Sequence, residues 1–307
     1  MDYKEHISVL KDEVVAAFNE NLEENDCLVD LTFGAGGHTT AFANMEKKTR
    51  VISFDQDPDA LANGYEYLKT NSLEQVNLVD SNFEKFPDFF AEKNKELKIE
   101  KGVKGILMDL GVSSHHFDDK SRGFSFKGEA DLDMRMNNRE GLSAKDILND
   151  FEEEFIAMIF RDYGEERFAE RIAAEIVEKR QTAPIETTKD LENIIFHCYP
   201  KKMRFGKTNP STRCFQALRI AVNRELDILS AIIPRLIDPL ANQGILAIIS
   251  FHSLEDRIVK HAFKALKKER TDVKILTKKP IIPTISEIKL NPRSRSAKLR
   301  FIERILE

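Results

Sequence analysis

Residues 30 to 38 read Asp30-Leu31-Thr32-Phe33-Gly34-Ala35-Gly36-Gly37-His38. The apolar run Cys27-Leu28-Val29 before them has the character of a buried strand end, and Thr39-Thr40-Ala41-Phe42-Ala43 after them opens a helix. A strand, a glycine-rich turn and a helix make the start of a nucleotide-binding α/β unit. Glycines let the chain turn sharply and let a ligand reach the backbone without meeting a Cβ. About 20 residues further on, Val51-Ile52-Ser53-Phe54 forms a second strand that delivers Asp55, whose carboxylate can accept hydrogen bonds from both hydroxyls of a ribose.

A dinucleotide fingerprint requires Gly or Ala where Thr39 stands. The pattern here is G-x-G-G, with the acid Asp30 at the strand end, and a diphosphate on this loop would be repelled by that acid. S-adenosylmethionine carries no phosphate, and its amino acid moiety has an ammonium that Asp30 could bind. A tight turn without any ligand explains the loop alone. It does not explain Asp55 beyond it.

At 307 residues the chain fits one large domain or two modest ones. With 41% hydrophobic residues it can bury a core, and its charged residues, 32% of the total, are interspersed. There is no apolar run of 18 residues, and the N-terminus has no signal-peptide pattern, so no membrane partner is expected. Cys27, Cys198 and Cys214 have no metal-ligand spacing. They suit a reducing, cytoplasmic setting without disulfides or a metal site. The net charge of −5 argues against a nucleic-acid partner only as an average. Residues 201–224 hold seven basic side chains and no acid, and residues 274–300 hold eight against Glu287 alone. Such fields attract phosphates, although a solvated basic helix face is the plainer reading of either cluster.

Val76-Asn77-Leu78-Val79 is a third strand, followed by Phe83, an aromatic placed to stack on an adenine or simply to fill the core. Residues 84–101 read as helical. Val103–Met108 is a fourth buried strand running into Asp109-Leu110-Gly111-Val112-Ser113-Ser114, polar groups at the end where open α/β sheets place ligands. From His115 to Asn209 the alternation stops, and residues 143–150, 151–160, 165–180 and 188–199 carry helical spacing. We therefore divide the chain into an α/β domain, residues 1–114 and 210–307, and an inserted helical domain, residues 115–209. The α/β pattern resumes with helices from Thr212 to about Ile237 and a turn at Asn242-Gln243-Gly244. A fifth strand follows at Ile245–Ile249, expected beside Val103–Met108, and then a helix capped by Ser253. Val273–Leu276 and Ala297–Ile302 close the sheet.

Taken together these stretches resemble the bacterial methyltransferases that modify N4 of a cytidine in the decoding region of 16S ribosomal RNA. The likeness runs through His6–Leu10, Asp30–His38, Asp109–Ser114, Arg122–Phe126, Asp131–Met136, Tyr163–Ala174, Phe215–Leu226, Ser250–Arg257 and Asn291–Arg300. It implies a class I, Rossmann-like methyltransferase sheet with a helical insertion that recognises substrate. S-adenosyl-L-methionine is the implied cofactor, and 16S ribosomal RNA within a small-subunit particle the implied partner. Cofactor contacts would fall on Gly34, Gly36, Gly37, His38, Asp55, Phe83, Asp109 and His116. Asp109 and Ser113 would be catalytic, and Asp133, Arg135, Arg213, His252, Arg293 and Arg295 would hold RNA. Three positions depart from the family's usual residues: Ser8 for proline, His116 for glutamine and Asn209 for histidine.

Two other readings stand beside this one. A nicotinamide oxidoreductase is disfavoured by Thr39 and Asp30. An RNA-binding assembly factor with a silent cofactor pocket is disfavoured by the intact loop, Asp55 and Asp109.

Overall fold

A computed structural model describes residues 7–111, 119–206 and 209–306. Ser113 and His116 lie outside the described residues. Seven strands, β1 (Cys27–Asp30), β2 (Arg50–Asp55), β3 (Val76–Asp80), β4 (Val103–Asp109), β5 (Leu240–Ser250), β6 (Val273–Ile275) and β7 (Lys298–Arg304), form one sheet. The order is β3-β2-β1-β4-β5-β7-β6, parallel through β5, with β7 antiparallel to both β5 and β6. This is the expected class I methyltransferase sheet. Strands β4 and β5 pair directly, Asp109 opposite Ile249, although these two residues are 140 positions apart in the chain.

The near-continuous apolar character of these strands follows from helices covering both faces. Leu28, Leu107, Ala247 and Ile249 point into one core with Phe18 of α1 (Lys11–Asn19), Phe42 of α2 (Gly37–Ala43) and Leu61 of α3 (Pro58–Thr70). Val29, Ile106, Leu246 and Ile248 point into the other. They meet Phe86 of α4 (Phe86–Lys93), Leu229 of the helix Glu225–Ile232 and Phe263 of the helix Ser253–Glu269. Helix α4 ends at Lys93, well short of residue 101, and the chain beyond it turns at Lys98 and Gly102 with φ of 55° and 92°.

The chain divides into two compact units, Met1–Gly111 with Leu226–Glu307, and Val112–Glu225. The second unit contains α5 (Ala144–Asp150), α6 (Glu153–Met158), α7 (Ala169–Arg180), α8 (Thr188–Cys198) and α9 (Ser211–Val222). The expected boundary at residue 209 is thus too early. Cys214, Phe215, Ala217 and Leu218 of α9 are buried with Phe160, Ile172 and Ile195, so that helix belongs to the helical core. The sheet unit resumes within α10 (Glu225–Ile232) and continues through α11 (Ser253–Glu269) and α12 (Ile285–Leu290).

Two local readings also change. Asn242-Gln243-Gly244 is not a turn ahead of a strand; it lies within β5, where the register against β4 shifts between Val103 and Gly105 and Gln243 takes a φ of 59°. A bulge bends the strand there without ending it. The cap of α11 is His252, not Ser253: its Nδ1 accepts from the Glu255 N–H at 3.4 Å, while Glu255 accepts from the backbone of Phe251 and His252. Among the described residues no helix is long and apolar enough to cross a membrane.

Candidate cofactor and methyl-transfer site

The glycine loop leaves β1 at the centre of the sheet, between β2 and β4, and both neighbours hold it. The Gly34 N–H donates to Asp55 Oδ2 at the end of β2 (2.8 Å), and the Asp57 N–H donates to Asp55 Oδ1 (2.9 Å). On the other side, Thr32 Oγ1 accepts from the Asp109 N–H at the end of β4 (2.8 Å). Gly34 and Gly36 have φ of 53° and 77°, and a Cβ on Gly36 would stand 2.8 Å from the Phe33 ring. At that position glycine is required by conformation and by space.

Asp30 does not face a ligand, contrary to the sequence expectation. It is fully buried, and its oxygens accept from the Thr32 N–H (3.1 Å) and the Thr39 hydroxyl (2.8 Å), which also meets Ser53 Oγ at 2.7 Å. Burial raises its carboxyl above the usual range, opposed by His38 and by those two donors. Thr39, which breaks the dinucleotide pattern, is therefore the residue that anchors the loop to the strand ends beneath it.

Asp109 is the acid that remains near the surface of the site. Its Oδ2 lies 3.6 Å from His38 Nε2, and its Oδ1 meets the Gly111 N–H at 3.3 Å. His38, in the first turn of α2, is buried, yet neither ring nitrogen has a hydrogen-bond partner among the described residues. Such orphaned atoms carry a free-energy cost that a bound polar group would relieve. Phe83 stands half-buried just after β3, on the apolar core. The elements therefore bring together Gly34, Gly36, Gly37, His38, Asp55 and Asp109 at three adjacent strand ends, with Phe83 on the next strand out. Two carboxylates, a bare glycine backbone and an unsatisfied imidazole fit a nucleoside bearing an amino acid tail.

The sequence matches the MraW methylase family over residues 3–305. The chain belongs to the MraW methylase family. Three relatives are each named ribosomal RNA small subunit methyltransferase H. That of Picosynechococcus is 47% identical over 97% of this chain and 96% of its own. That of Clostridium botulinum, strain Loch Maree, is 44% identical over 99% and 100%. That of Sulfurihydrogenibium is 45% identical over 98% and 99%. A solved rRNA methylase from Streptococcus thermophilus aligns over 98% of this chain and 100% of its own, but with 11% identity and a TM-score of 0.43. Family membership therefore rests on the sequence relatives.

Within this MraW methylase the expected RNA-binding residues are not all available. Asp133 and Arg135 pair with each other, Nε to Oδ1 at 2.9 Å and Nη2 to Oδ2 at 2.7 Å. Their loop is tied to α9 by Asn223, which accepts from the Met136 N–H and donates to the Met134 carbonyl. His252 caps α11 through Nδ1, while its buried Nε2 lies 3.0 Å from Glu255 Oε1 without a hydrogen bond among the described residues. Arg213 is exposed and donates to the Glu165 carbonyl (3.0 Å), while Arg293 and Arg295 are exposed on the turn after α12.

Each basic cluster divides in the same way. Arg219 is held by Glu225 through two bonds, whereas Lys201, Lys202 and Arg224 are exposed. Lys298 and Arg300 both reach Asp256, at 3.3 and 2.7 Å, while Lys278, Lys279 and Lys289 are exposed. Thr32 and Asn223 are the positioning residues that sequence reasoning did not find. Neither belongs to a motif, and their partners lie 77 and 87 residues away.

Proposed function

We propose that this protein methylates the exocyclic N4 amine of a cytidine in the decoding region of 16S ribosomal RNA, using S-adenosylmethionine. The coarser statement, methylation of small-subunit ribosomal RNA, is supported by kinship along nearly the whole chain with proteins named for that activity. The observation that carries the chemistry is the direct bonding of the glycine loop to Asp55 on one side and, through Thr32, to the Asp109 backbone on the other. A site tied together in this way is fixed before any ligand arrives.

When bound, S-adenosylmethionine supplies a sulfonium methyl that a nucleophile takes by direct displacement. Asp55, at the end of β2 beside the glycine loop, would hold the ribose hydroxyls. Gly34, Gly36 and Gly37 give backbone clearance, and His38 offers its two unsatisfied nitrogens. A cytosine amine is a weak nucleophile because its lone pair is delocalised into the ring. Accepting one of its N–H groups helps the nitrogen pyramidalise and lose its proton. Asp109 is our candidate for that acceptor, with Ser113 beyond it in the chain. The base must leave its stack to reach the site, at a cost of about a few kcal/mol that phosphate contacts offset.

The test is incubation of unmodified small-subunit particles and of their RNA with the protein and methyl-labelled cofactor, followed by nucleoside mass spectrometry. Label in a cytidine carrying one methyl on N4 is the expected result. Label in another base, on another atom, or none at all refutes the assignment. The reaction belongs where ribosomal particles are assembled, in the bacterial cytoplasm.

A further inference from the structure

Phe205 is 86% exposed, the most exposed large apolar side chain among the described residues. It follows the last helical turn of Lys201–Met203 in the helical unit and is not loosely placed. Its ring meets Phe196 of α8 with centroids 5.7 Å apart and planes at 75°. Phe196 is in turn covered by the Arg204 guanidinium, 4.9 Å from its centroid. Arg204 is itself fastened, donating to the carbonyls of Tyr199 (2.9 Å) and His197 (3.1 Å). A pedestal of fixed groups thus holds one aromatic ring out in water.

We propose that Phe205 is a stacking platform for an unpaired RNA base other than the one methylated. This rests on RNA being the substrate. Residues 201–224 contain no acid, and Lys201 and Lys202 are exposed immediately before the ring, beside Arg204. An aromatic face flanked by cations is the arrangement that binds single-stranded nucleic acid, bases on the ring and phosphates on the lysines. An apolar protein partner would call for a contiguous apolar patch. The other strongly exposed large apolar residues described in this unit, Leu142 and Phe155, lie elsewhere in the sequence.

The chain has no tryptophan, so Phe205→Trp installs a single reporter at the platform. Its emission is expected to be quenched by saturating oligoadenylate and by 16S ribosomal RNA, but not by a blunt RNA duplex of the same length. Phe205→Ala is expected to weaken binding of 16S ribosomal RNA by about fivefold or more, leaving the salt slope unchanged, because stacking releases no counterions. Lys201→Ala with Lys202→Ala should instead lower the slope of log K against log salt by about 1.4. Cofactor affinity, measured by calorimetry, should be unaltered in every variant. If wild-type protein binds RNA but the emission of the Phe205→Trp variant is unmoved, or Phe205→Ala binds as wild type, the platform is refuted and the substrate reading survives. A Phe205→Ala change that alters only self-association refutes it in favour of a protein contact. If the wild-type protein does not bind RNA at all, both readings fall.

Discussion

Asp55 carries two duties. It receives the Gly34 and Asp57 N–H groups, which set the shape of the loop, and in the proposed function it would also hold the ribose. Asp55→Ala should weaken S-adenosylmethionine binding by about 1.5–3 kcal/mol, the range for hydrogen bonds to a charged group. Titration calorimetry that returned unchanged affinity would remove Asp55 from the cofactor site. The cysteines make an opposite case, in which the side chains do no chemistry. Burial pushes the Cys27 thiol up to about 12 and Cys198 to about 11, and raises Cys214 well above its ordinary value. Because only the thiolate reacts, native protein at pH 8 should give no colour with a thiol-reactive disulfide reagent, and all three thiols should react once it is denatured. Prompt labelling of any one in native protein would contradict this burial.

Among the elements, Gly123 is held by geometry. Its φ is 76°, and a Cβ there would fall 2.3 Å from the Asp131 carbonyl oxygen. Gly123→Ala should lower stability by about 1–3 kcal/mol, the usual cost of such backbone strain, which thermal unfolding would register as a lowered midpoint. At the far edge of the sheet, Asp272 precedes β6 and accepts two bonds from Arg270 and one from Arg304 of β7. Those hydrogen bonds, Arg270 first, lower its carboxyl from 3.8 to about 2. The folded state therefore favours the charged form, and the stability so gained is complete above about pH 5 and is lost as pH falls from there through about 2. Urea midpoints at pH 5, 4 and 3 should fall more steeply for wild type than for Asp272→Asn, and parallel slopes would show the pairing to be without effect. Which elements sequence could reveal has a physical basis. Strands β1, β2, β4 and the second half of β5 stand out because parallel strands covered on both faces are nearly continuously apolar, while the edge strand β3 shows a shorter apolar run. The stripe Phe215, Leu218 and Val222 of α9 marks a buried face but not what buries it, so the pattern alone does not show that the helix packs in the second unit. Asn242-Gln243-Gly244 has the composition of a turn yet serves as a bulge, and histidine is not among the preferred helix caps. In the site, the loop and Asp55 could be read because their spacing is local. The inward facing of Asp30 and the bridge from Thr32 to Asp109 depend on groups that only folding brings together.

Across the described molecule, Arg219, Lys298 and Arg300 pair with carboxylates, and Arg293 and Arg295 lie exposed on the turn after α12. Replacing both Arg293 and Arg295 with alanine should weaken binding to 16S ribosomal RNA and flatten its salt dependence, while cofactor affinity stays near wild type. Loss of cofactor binding with the salt slope retained would make that turn a structural element instead. The insertion of the helical unit between β4 and β5 has a consequence for biosynthesis. During translation at about 5–20 residues per second, the chain from Asp109 to Leu240 takes roughly 7 to 26 s to emerge. Throughout that interval one edge of β4, the strand that delivers Asp109, has no partner, and a bare strand edge invites pairing with other chains. A ribosome making this protein must therefore shelter an unclosed sheet while an entire second unit is threaded out, although every described residue of the candidate cofactor site has by then already emerged.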